Sequence, residues 1–173
     1  RGTALVHQGR VEEGMGEITQ GQYVWQGSGA GLVAYGASCM ADACLLAGRR
    51  EAGILALDES LYHSEESWWL PEQYRLRAEL LLLAPGSEAE AEALLRQALA
   101  LARDQGARSL ELRAAVSLAR LLRARDRAGE AQALLADACA EFCHTQDTAD
   151  HRDARQLLKD LEAELVPSLS AAT

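Results

Sequence analysis

Four cysteines, two carboxylates and a set of arginines are the residues of this chain whose types could do chemistry. Cys139, Cys143 and His144 share part of one helix face, as ligands of a zinc ion would. A closed zinc site takes a fourth ligand and usually a CxxC-type turn, and the sequence supplies neither. Like Cys39 and Cys44, these cysteines stand among Ala and Leu, where a thiol behaves as a small apolar side chain, so no metal and no cofactor is expected. The stretch GSGAG at 27–31 carries the GxG of a phosphate loop, but no strand precedes it and no Lys-Ser or Lys-Thr follows. Asp42 and Glu79 could face each other as an acid–base pair, yet carboxylates on a wetted helix face are usually solubilising. Catalysis is therefore not expected. Arg75, Arg113, Arg120 and Arg123 point elsewhere, because a planar guanidinium grips carboxylates through paired donors. The chemistry on offer is binding.

The elements that carry these residues follow from composition and period. The chain has 173 residues, 49% of them hydrophobic and only 5% aromatic, rich in Ala and Leu with three prolines. That balance favours helix over sheet and gives an all-α fold. A net charge of −9 argues against a nucleic-acid footprint, which needs clustered positive charge. The longest apolar runs, 80–84 and 54–57, are far short of a membrane span, and the first residues lack the apolar core of a signal peptide. A cytoplasmic location with reduced thiols is expected. Because Arg1 already lies inside an apparent helix, the chain reads as a piece of a longer one.

The clearest stretch, 87–135, reads as helix, break, helix, break, helix. Leu94, Leu95, Ala98, Leu99 and Ala102 recur at three- and four-residue steps, and Leu110, Leu112, Ala115, Leu118, Ala119 and Leu122 resume the period after Gly106. Four segments repeat a break, a small residue and an apolar run. Their small residues are Gly14, Gly53, Ala91 and Ala131, at steps of 39, 38 and 40. Ahead of each lies another helix with its own small residue, Gly2, Ala41, Ala78 or Ala119, as tightly crossed hairpins require. The spacing predicts helix pairs over about 1–26, 32–66, 72–104 and 108–144, a closing helix over 147–165 and a loose tail over 167–173. Residues 1–166 are read as one repeat domain. The charges of the closing helix suit a wetted outer face.

These hairpins resemble tetratricopeptide repeats, best at Ala91, Leu95, Ala98 and Leu99 and again at Ala131, Leu135 and Ala138, although the period exceeds the usual 34 by about a helical turn. The succession of SWWLPEQYRLRAELLL, EAEALLRQALALARDQGARSLELRAAVSLARLL and DTADHRDARQLLKDLEAEL is similar to the C-terminal repeat region of large bacterial regulators. In those proteins a cyclase-like or DNA-binding segment and a signal-transduction ATPase precede the repeats. The resemblance implies a right-handed superhelix with its first helices lining a concave groove. Set out from Ala41, Ala78 and Ala119, that groove would present Tyr35, Ser38 and Asp42, then Glu72, Arg75 and Glu79, then Arg113, Val116, Arg120 and Arg123, with His7 at the edge. It implies a non-catalytic interaction or sensor module. Its partner would be a protein or peptide, or other domains of the same chain, and self-association stays open. The alternative is a small-molecule effector held near Tyr35, Arg75 and Arg113. Of Trp68 and Trp69, about 100° apart on a helix, one should be core and the other a junction cap or an exposed anchor.

Overall fold

The computed structural model describes residues 1–28, 33–63, 67–140 and 148–170. Among them lie nine helices: α1 (Gly2–His7), α2 (Val11–Ser28), α3 (Val33–Leu46), α4 (Arg50–His63), α5 (Leu70–Leu81), α6 (Glu88–Asp104), α7 (Arg108–Ala124), α8 (Ala128–Ala140) and α9 (Ala149–Ser170). A 3-10 turn, Ser67–Trp69, leads into α5, whose first turn holds Pro71. There Pro loses nothing, since the N–H it lacks would have no helical partner. The described residues contain no strand, and none of their helices is long and apolar enough to cross a membrane.

The helices stop where the backbone turns left-handed. Gly9, Gly48 and Gly106 have φ of 83°, 67° and 63°. Each donates its N–H back to a carbonyl three residues earlier while the next residue reaches five back, as in Gly9 to Val6 at 2.9 Å and Arg10 to Leu5 at 2.9 Å. Asp126 does the same between α7 and α8 at φ 59°, the one described non-glycine residue with a positive φ. A Cβ there crowds the following carbonyl. Asp126→Gly is therefore expected to raise stability by up to about 1 kcal/mol, and Gly48→Ala to lower it by roughly that much. Thermal denaturation reads both, and a melting temperature that Asp126→Gly leaves unchanged would refute the strain assigned to it.

At the C-terminus the sequence reading falls short. It ends the last helix at Leu165 and reads 167–173 as tail, whereas α9 continues through Pro167 to Ser170. A proline deletes one helical hydrogen bond, and so close to a helix end that loss is local.

Contacts divide the chain into two compact units, Arg1–Leu94 and Leu95–Thr173, the division falling inside α6. In the first unit α1 packs on α2 and α3 on α4, and each later first helix also leans on the preceding pair: α3 on α1 and α2, α5 on α3 and α4. Val6, Met15, Ile18, Ala41, Ala43, Cys44, Leu57, Leu76 and Leu80 form its core. Small residues set the spacing. A Cβ on Gly14 would lie 2.5 Å from Val6 Cγ2 and 2.6 Å from the Gly2 carbonyl, and one on Gly2 would meet the Gly14 carbonyl at 2.7 Å. Gly53 is enclosed by Leu80 and Cys44. In the second unit α7 packs on α8, and α9 lies against both. Ala119, Ala131 and Ala154 are fully buried there beside Leu118, Leu122, Leu135 and Leu161.

Candidate functional site

In the first unit α3 and α5 bring most of the expected groove residues together around one cation. Arg75 donates from Nε and Nη2 to Glu72 at 3.0 and 2.9 Å, with Glu79 at 3.8 Å. Its side chain is 14% exposed and that of Glu72 7%. Burial alone would lower the guanidinium pKa; the hydrogen-bonded Glu72 carboxylate, with Glu79 and Asp42 behind it, outweighs that and raises it. Asp42 also meets Nε2 of His7, at 3.1 Å, tying α1 to α3. Of the six residues expected here, Ser38 does not join. It is buried and its hydroxyl donates to the Ala34 carbonyl at 2.9 Å, because three residues before the crossing Ala41 the helix faces inward.

An aromatic corner borders this cluster. Tyr35, 42% exposed, meets Trp69 edge-on at 5.4 Å between ring centres, and Trp69 tilts against Trp68 at 5.1 Å. Trp69 is the more buried of the two, and its indole N–H, shielded from solvent, has no acceptor among the described residues. Trp68 is 47% exposed. Every large hydrophobic side chain described as exposed belongs to this unit, Tyr23, Val24, Leu46, Leu55, Leu61 and Leu83 among them. The sequence reading missed that asymmetry, whose one visible signal is that all three tryptophans precede residue 70.

In the second unit the arginines of α7 stand in a row, but they face α9. Arg113 Nε donates to Asp150 at 2.7 Å, and Arg120 Nη2 to both oxygens of Asp153 at 2.6 and 2.8 Å. Arg123 grips Glu164 through Nε and Nη2, and that hydrogen bonding raises its pKa. Val116 is buried between them in sequence. Asp150 and Asp153 complete this seam while their side chains stay 37% and 48% exposed, so these charges of the closing helix meet both water and α7. On the opposite side of α7, Arg103 and Arg108 converge on the buried Glu111 at 2.7 and 2.9 Å. Arg96 and then Arg127 hold the Glu130 carboxyl below its usual range.

The thiols divide by position. Burial pushes Cys39 and Cys44 above the ordinary thiol value, a Tyr35 hydrogen bond working against the shift at Cys39. Cys139 is buried, while Cys143 and His144 lie outside the described residues, as does most of the 27–31 glycine stretch. No group of three metal-binding side chains occurs among the described residues. Comparison with known protein families and with curated proteins returns no match.

Proposed function

We propose that this chain is a non-catalytic helical-repeat interaction module of the tetratricopeptide kind, the sensor or docking part of a larger bacterial signalling or transcriptional regulator. One observation carries the reading. In the first unit α3 and α5 each pack on both helices of the pair before them, and in the second the closing helix α9 packs on both α7 and α8, as successive pairs stack in repeat arrays. In the first unit the face of α3 and α5 is lined by Asp42, Arg75 and Glu79, with the half-exposed rings of Tyr35 and Trp68 beside it. Ordered charge next to an exposed aromatic anchor suits a peptide laid along the helices. Arg75 already spends its donors on Glu72, which favours a protein partner over a small carboxylate effector that would need that fork.

The test is a pull-down with the chain as bait, followed by affinity measurement on the recovered partner. Trp68→Ala and Asp42→Lys together should weaken binding at least tenfold with the helical spectrum retained, while Arg96→Glu on the second-helix side leaves affinity within about twofold. The reverse pattern would move the working surface to the other side of the helices.

A further inference from the structure

The three arginines of α7 are matched by three carboxylates of one helix in a fixed pattern. Counting from Asp150, α9 places carboxylates at the first position, at Asp153 three later and at Glu164 fourteen later. Between them, Ala154, Leu157 and Leu161 stand four, seven and eleven residues on, and all three are buried. That is one apolar stripe of an amphipathic helix, edged by acids. On the acceptor side Arg113, Arg120 and Arg123 follow one stripe of α7 with the buried Val116 among them, and α9 lies against α8 as well.

We propose that this face of α7 is an acceptor for acidic amphipathic helices, and that α9 is its resident occupant, displaced by a partner helix of the same pattern. The inference rests on the interaction-module reading and names its partner class: a helix with acids at positions 1, 4 and 15 around an apolar stripe. Charge complementarity sets the choice, since each acceptor cation meets an acid on the resident. The side chains of these pairs are 37–52% exposed. Water-screened pairs specify register more than they clamp, so an exchange loses little at the rim and regains it from the incoming acids. A tethered helix nonetheless competes at an effective concentration of the order of millimolar. The resident thus keeps weak acidic helices out and admits those that match the stripe.

The experiment uses the full chain and a synthetic peptide of residues 148–165, fluorescently labelled, as the probe. Asp150→Asn, Asp153→Asn and Glu164→Gln together weaken the resident, and this opened chain should bind the probe roughly tenfold more tightly than the parent does. The same three changes made in the peptide should cost roughly tenfold on the opened chain, an arm that cannot be confused with misfolding of the protein. Adding Arg113→Glu and Arg120→Glu to the opened chain should abolish binding. Equal affinity for the acidic and the amidated peptide, or no measurable binding to an opened chain whose helical spectrum is intact, overturns the proposal. Neither result touches the interaction reading of the first unit, which stands or falls on Trp68 and Asp42.

Discussion

Gly14→Ala is expected to melt roughly 4 to 8 °C below the parent, and Gly16→Ala slightly above it, although the two substitutions lie two residues apart on one helix. Both replace a helical glycine by alanine and so gain about 1 kcal/mol of intrinsic helix stability. At Gly16 nothing lies within 4 Å of the new methyl group, and that gain is the whole effect. At Gly14 the methyl would sit 2.6 Å from the Gly2 carbonyl and 2.9 Å from the Val6 nitrogen. Backbone atoms cannot rotate away as a side-chain end can, so α1 must retreat along its length. Overpacking typically costs 1–3 kcal/mol, and three such contacts put this site at or above the upper end, a net loss of about 2 kcal/mol after the propensity gain. Gly53→Ala should fall between the two, since the atoms it meets at 2.7 Å are the mobile ends of Leu80. If Gly14→Ala and Gly16→Ala shift the melting temperature equally, the close crossing of α1 and α2 is refuted.

That crossing was legible in the sequence because it depends on residue size at a fixed interval. Gly2 with Gly14, and Gly53 twelve residues after Ala41, repeat a spacing set by helix geometry and turn length. The turns were legible for the same reason: Gly9, Gly48 and Gly106 fill left-handed positions that few other residues accept. What the sequence hid lies in contacts between distant positions. Arg120 and Asp153 are thirty-three residues apart, and no local period links them, so Asp153 is legible as a wetted charge while the arginine it meets is not. Ser38 is expected in the groove from its place relative to Ala41, but a hydroxyl on a helix can bond back to its own backbone and stay inside.

The candidate face of the first unit has its own decisive variant. Arg75→Leu is expected to destabilise the chain by about 3 kcal/mol, well beyond the effect of any exposed ion pair. The reason is the carboxylate left behind. Glu72 is almost wholly buried and receives two short charged hydrogen bonds from Arg75, and taking the cation away from a buried carboxylate costs more than the pair gained. Removing the charge as well, in Glu72→Leu with Arg75→Leu, should recover most of the loss, because two apolar side chains replace the charged pair. Denaturant titrations of the parent and the two variants make the comparison. A double variant as unstable as Arg75→Leu would mean that Arg75 acts through its packed stem and not as the counter-charge around which Asp42, Glu72 and Glu79 are arranged.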